Sequence, residues 1–245
     1  MMVETADVPL TQRMNADIFC HQLQDAADLN RDAVAALSQP GTISGLTAAL
    51  NGLKRSLRIL QNLSREIRGP DRFSLPAGGL IYSAGQMPMP DNDLLYIYGQ
   101  PKVFYPGGIE DASLGRLTAF TAAVVFNTAL AYHRKALETG RTNHYKSAHL
   151  LYGSVLRLFT TQPLNLQENT DFMILYVASA NNMAQVDYEL SEYKSFEMTM
   201  QQLVMPATQN MLQRQSILAD DEAFSLNEVA MNVLLAKSPE LARAA

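Results

Sequence analysis

Phe126-Asn127-Thr128-Ala129-Leu130-Ala131-Tyr132 and, further along, Asn182-Met183-Ala184-Gln185-Val186-Asp187-Tyr188 are the two stretches on which the fold turns. Each places a small residue two positions after an asparagine, and in the first an aromatic, Tyr132, follows three residues later. The first lies within Ala119–Leu137, a run apolar nearly all round through Phe120, Val124, Val125, Phe126 and Leu130. Such a helix is contacted on several sides. After each stretch comes a second periodic helix that supplies large apolar residues: Tyr145, Ala148, Tyr152 and Val155 in one case, Tyr193, Phe196, Met200 and Leu203 in the other. An earlier pair offers Ile43, Leu46, Leu50 and Leu53. Connections this short reach only an adjacent neighbour, so the helices pair antiparallel.

This pattern resembles tetratricopeptide (TPR)-like helical hairpins, in which a small residue lets two helices approach and large ones fill the groove between hairpins. The resemblance covers Asp25 to Gln215 in three degenerate units. Ala129 and Ala184 stand 55 residues apart, against a family period of about 34. Alanine replaces the family's glycine, and the proline that follows a repeat is missing. Tyr98-Gly99-Gln100-Pro101, the Phe126–His133 stretch, Asn181-Asn182-Met183-Ala184-Gln185 and Asn232-Val233-Leu234-Leu235 resemble a large group of uncharacterised diatom proteins. These have a TPR-like core and no assigned activity. The resemblance implies an all-α, TPR-like antiparallel helix-hairpin array and leaves the function open.

Outward from these units, residues 1–14 read as a flexible leader and 15–245 as one helical domain. Phe19, Leu23, Ala26, Leu29 (or Asn30), Ala33 and Leu37 mark a helix over Asn15–Ser38. Pro40-Gly41 ends it, and Ser44 is placed to cap the next helix, whose stripe is Leu46, Leu50, Leu53, Leu57, Leu60 and Leu63. Residues 69–108 then hold six of the eleven prolines and seven of the thirteen glycines. The β-type runs Leu80–Tyr82, Leu94–Tyr98 and Lys102–Tyr105 lie between them. This is a Pro/Gly-rich β insertion, with the last two runs as a hairpin and the first as a partner strand. Beyond it, Gly140 is a helix stop, and helices cover His144–Phe159, Asp171–Leu190, Ser195–Leu218 (kinked or split at Pro206) and Leu226–Ala236. Asp220-Asp221-Glu222 reads as a solvated loop.

Composition bounds the function. Hydrophobic residues are 47% and charged residues 18%, the latter below the usual ~25%. The net charge of -5 argues against general affinity for nucleic acid or an anionic membrane. One cysteine, Cys20, excludes an internal disulfide and reads as a buried structural thiol. The first residues carry Glu4 and Asp7 and no apolar run, unlike a signal peptide. No stretch reaches the ~20 apolar residues of a membrane span. The expected location is intracellular, cytoplasmic or nuclear.

No catalytic constellation, metal site or cofactor is expected. His144 and His149 are five apart, unlike the four-residue spacing of paired metal ligands. No serine carries the glycines of a nucleophile elbow, and no glycine-rich phosphate loop with lysine occurs. Six of the twelve methionines, between Met173 and Met211, suit an adaptable interface and a core equally well. The candidate partner-binding residues are Arg55, Arg58 and Arg65, on one face of the second helix, and Asn127 and Asn182. In peptide-binding TPR proteins, an asparagine at this place faces the groove and holds a ligand's carboxylate or main chain. The same residue type also serves to satisfy a neighbouring backbone. The expected function is a noncatalytic protein–protein interaction module, a scaffold for a peptide or partner helix. The alternative is a constitutive structural subunit of a larger assembly.

Overall fold

A computed structural model describes residues 10–38, 43–67, 80–83, 95–105, 114–161, 170–213 and 220–236. The described chain is all-α apart from two short strands. Its helices are α1 (Leu10–Leu37), α2 (Ile43–Ile67), α3 (Leu114–Thr139), α4 (Thr142–Thr161), α5 (Thr170–Glu189), α6 (Tyr193–Thr199), α7 (Met205–Leu212) and α8 (Asp220–Ala236). The strands are β1 (Leu80–Ser83) and β2 (Lys102–Tyr105). No described helix is long and apolar enough to cross a membrane.

Each of the first five helices packs on the next in sequence: α1 on α2, α2 on α3, α3 on α4, α4 on α5 and α5 on α6. The stripes read from the sequence make these contacts. Leu46, Leu50, Leu53, Leu60 and Leu63 of α2 are buried against Phe19, Ala26, Ala33 and Leu37 of α1. A Cβ added at Gly52 would stand 3.4 Å from the Cβ of Ala33, so small residues set how closely α1 and α2 approach. α3 is buried nearly all round, through Phe120, Val124, Phe126 and Leu130. It touches α1, α2, α4 and α5. Arg134 of α3 is buried and donates to the carbonyl of Leu37 at 2.8 Å, tying the C-terminus of α1 to the central helix, while Glu138 balances its charge at 2.9 Å.

Two short turns join packed neighbours, α3 to α4 and α5 to α6. Gly140 has φ 64° and donates to the Ala136 carbonyl at 2.7 Å, ending α3 where the sequence indicates. At the end of α5, Ser191 donates to the Tyr188 carbonyl and Glu192 to that of Asp187, with Ser191 at φ 62°. This is a Schellman motif with serine at the position that favours glycine.

Several boundaries differ from the sequence reading. α1 begins at Leu10, inside the expected leader, and α2 already includes Ile43, so Ser44 lies within its first turn instead of capping it. Ile43 is exposed, unlike the rest of its stripe. Asn30, not Leu29, is the fully buried member of the α1 face. The stretch around Pro206 is divided: a π-helical turn at Met200–Val204 joins α6 to α7 just before the proline. A proline ring excludes the carbonyl four residues back, and the wider turn shifts the register that would have met it. Asp220-Asp221-Glu222 is the first turn of α8 rather than a loop, where acidic residues suit the helix dipole.

The insertion also pairs differently. β1 lies antiparallel to β2, with Leu80 opposite Tyr105 and Ser83 opposite Lys102, so Leu80–Tyr82 is a partner strand as read. The hairpin between Leu94–Tyr98 and Lys102–Tyr105 does not form. Leu95–Gln100 is buried apart from the half-buried Tyr96 and is not a strand; helix side chains satisfy the main chain of Tyr96 and Tyr98 instead.

Candidate functional site

Helices α1, α3, α5 and α8 present carboxamides to one extended segment, Leu95–Lys102. At three points a single asparagine closes two hydrogen bonds on one residue's main chain. Asn232 accepts from the Tyr96 N–H at 2.9 Å and donates to the Tyr96 carbonyl at 2.8 Å. Asn182 does the same to Tyr98 at 2.9 and 3.0 Å. Asn127 does so to Lys102 at 2.7 and 2.6 Å. A carboxamide carries one acceptor and one two-proton donor, so it matches a peptide unit as a strand neighbour would.

The rest of the shell holds these side chains in place. Asn30 donates to the Lys102 carbonyl at 3.1 Å and accepts from Asn127 at 2.9 Å. Asn181 donates to the Tyr96 carbonyl at 3.1 Å and accepts from Asn232 at 2.8 Å. Gln185 also donates to the Tyr96 carbonyl. Asparagine is a poor helix former, and a buried polar group left unpaired costs about 1–3 kcal/mol. Five asparagines facing inward on helices are therefore explained by the backbone they satisfy.

The segment's own polar side chains are bonded, buried at Tyr98, Gln100 and Lys102 and half-buried at Tyr96. The Tyr98 hydroxyl donates to Gln100 Oε1 at 3.1 Å and accepts from Lys102 Nζ at 3.1 Å. Its ring meets Phe126 edge-on at 6.3 Å. Ser225 Oγ accepts from the Tyr96 hydroxyl at 3.0 Å and from Gln100 Nε2 at 3.3 Å. Burial pushes the Tyr96 pKa up, against the Ser225 hydrogen bond.

A second polar chain runs inward from Asn182, which also donates to the Tyr152 hydroxyl at 3.3 Å. That hydroxyl stands 3.5 Å from His133 Nδ1. His133 is fully buried, its Nε2 has no hydrogen-bond partner, and desolvation lowers its pKa to about 3. The ring is neutral. On the other side of α5, buried Asp187 lies 2.9 Å from His149 Nε2 and accepts from Ser195 Oγ at 2.8 Å, linking α4, α5 and α6. The Asp187 carboxylate at hydrogen-bonding distance raises the His149 pKa, outweighing desolvation of the half-buried ring; Glu192 adds to the rise.

The sequence-read candidates fall in two separate places. Asn127 and Asn182 are fully buried and both hold a main chain, which is the protein's own. Arg55, Arg58 and Arg65 are exposed along α2, on a helix that contributes nothing to the asparagine row. The structure does not bring the two sets together. Sequence reasoning passed over Asn30, Asn181, Gln185, Ser225 and Asn232 as groove residues. The available signal was their polarity at inward helical positions. His144 sits against Tyr132 and Thr139, apart from His149. Cys20 is half-buried.

No family model matches the chain, and no curated protein or solved structure matches it either.

Proposed function

We propose that this chain is a noncatalytic protein–protein interaction module, a TPR-like helical scaffold that binds a peptide or partner helix. The observation that carries the reading is the asparagine row: Asn127, Asn182 and Asn232 each grip both amide groups of one residue in an extended chain. Carboxamides do not titrate near neutral pH, so such a row recognises main chain and performs no acid–base chemistry. Stacked helix pairs offer an elongated inner face on which the row is laid out. The exposed Arg55, Arg58 and Arg65 add a second surface, suited to an acidic segment.

The test is selection of displayed random peptides on the full chain. Selected peptides bind it in the micromolar range, and either Asn127→Ala with Asn182→Ala or a triple Arg55, Arg58, Arg65→Ala variant weakens them about tenfold or more. Failure to select any peptide, or peptides indifferent to both variants, counts against the module.

A second reading, a constitutive subunit, is favoured by the exposed Met231 and Leu234 on α8 and by Tyr193 and Met198 on α6. The last two line an open hollow of about 670 Å³. Its sign is a chain that self-associates in sedimentation until Met231 and Leu234 are made polar.

A further inference from the structure

We propose that Leu95–Lys102 is a resident ligand of the groove, and that the groove's partner is an extended peptide with the same aromatic–apolar–aromatic spacing that replaces it. This inference rests on the module reading above and assigns its site and ligand class.

The first support is that the contacts are of a kind that a separate chain makes equally well. Six of the hydrogen bonds from the asparagine row go to main-chain N–H and C=O groups of Tyr96, Tyr98 and Lys102. Any extended peptide in this register presents the same groups. Over Leu95–Pro101 no strand lies beside the segment in the described structure, and side chains of α5 and α8 bond the main chain of Tyr96 and Tyr98 there.

The second support is the direction of the segment's own polar contacts. Tyr98, Gln100 and Lys102 bond to one another through the Tyr98 hydroxyl. These bonds lie within the segment and move with it. From the helices, Phe126 meets the Tyr98 ring edge-on, and the Ser225 hydroxyl accepts from Tyr96 and Gln100. Specificity therefore falls on two aromatic residues two positions apart, with hydroxyls, followed by a Gln and a basic residue.

A resident segment on the same chain competes at an effective concentration of about millimolar, so the partner is met by a partly closed site. Its apparent affinity is lowered by the fraction of chains with the groove open.

A fluorescently labelled synthetic peptide with the sequence of residues 94–104, titrated into the full chain, tests this. Tyr98→Ala removes the anchor of the resident segment and leaves every helix side chain in place. Peptide affinity for Tyr98→Ala is about tenfold or more above that for the wild type, and the peptide raises the variant's Tm. Adding Asn182→Ala in the same background abolishes binding. No binding to Tyr98→Ala, or binding that survives Asn182→Ala, overturns the proposal.

Should Tyr98→Ala not fold, hydrogen exchange on the wild type decides. Excess unlabelled peptide speeds exchange of the amides of Tyr96, Tyr98 and Lys102, and unchanged rates overturn the proposal. Display-selected peptides that depend on the arginines alone, with no such exchange effect, reject this inference and leave the module standing. No peptide on either surface rejects both.

Discussion

Asn182 and Tyr98, 84 positions apart in sequence, are joined by a closed pair of hydrogen bonds at 2.9 and 3.0 Å inside a fully buried site. Asn182→Ala removes both and strands a buried N–H and a buried C=O. The expected loss is about 3 kcal/mol, read as a Tm drop of about 6–12 °C in a chain of this size. Asn182→Asp fares no better, because a carboxylate repels the Tyr98 carbonyl. A drop under 2 °C for Asn182→Ala means the segment is held by other contacts.

His149 makes the fold more stable in acid than in base. Its folded pKa lies above the unfolded value near 6.5 because of Asp187, opposed by desolvation. Its stabilisation is therefore complete below about pH 6.5 and is lost as pH rises through the folded value. The Tm gap between wild type and His149→Gln is expected to be wider at low than at high pH, in melts spanning about pH 5.5–8.5. A gap that is flat or wider in base contradicts the His149–Asp187 link.

His133 acts in the opposite sense. Burial holds its folded pKa at about 3, so below about pH 6.5 the unfolded chain takes up a proton that the folded chain refuses. By pH 4.5 this costs about 2–3 kcal/mol. His133→Phe keeps the ring, removes an unpartnered buried nitrogen and is neutral to stabilising at pH 7. Its denaturant midpoint then falls less than that of the wild type between pH 6.5 and 4.5. An equal fall in both would show that the ring is protonated in place.

Ser191 and Gly140 share the left-handed backbone at φ 62° and 64° with different side chains. A Cβ there costs about 1 kcal/mol. Ser191→Gly is expected to stabilise by about 0.5–1 kcal/mol, less the entropy that glycine adds to the unfolded chain. Gly140→Ala, although nothing lies within 4 Å of its added Cβ, destabilises by about 1 kcal/mol. Chemical denaturation of the two variants checks the pair, and effects of the same sign reject the account.

Helical periodicity made most of this fold legible, because the leucine stripe of α2 and the apolar girth of α3 are local patterns. The glycine stop at Gly140 was equally local. Asn127 and Asn182 stood out as residues able to hold a main chain, but nothing local said whose. The strip Leu94–Tyr98 has strand composition and is indeed extended where described. Its hydrogen-bonding partners are asparagines up to 136 positions away, and pairing of that range leaves no periodic trace. The buried Asn30 shows the same limit: in its stripe Leu29 was the apolar choice, and only the Lys102 carbonyl explains why the asparagine faces in.

The strip meets the helices in reverse chain order, Tyr96 at α8 and α5, Tyr98 at α5, Lys102 at α3 and α1. During synthesis, at roughly 5–20 residues per second, Tyr96 leaves the ribosome well before Asn232, 136 residues later. The first helix pairs have roughly 7–27 s to assemble with the groove's far wall not yet made. α8 is made after the other groove helices, so a nascent chain stalled before it lacks the Asn232 grip on Tyr96 and the Ser225 hydroxyl, and holds the strip by α1, α3 and α5 alone.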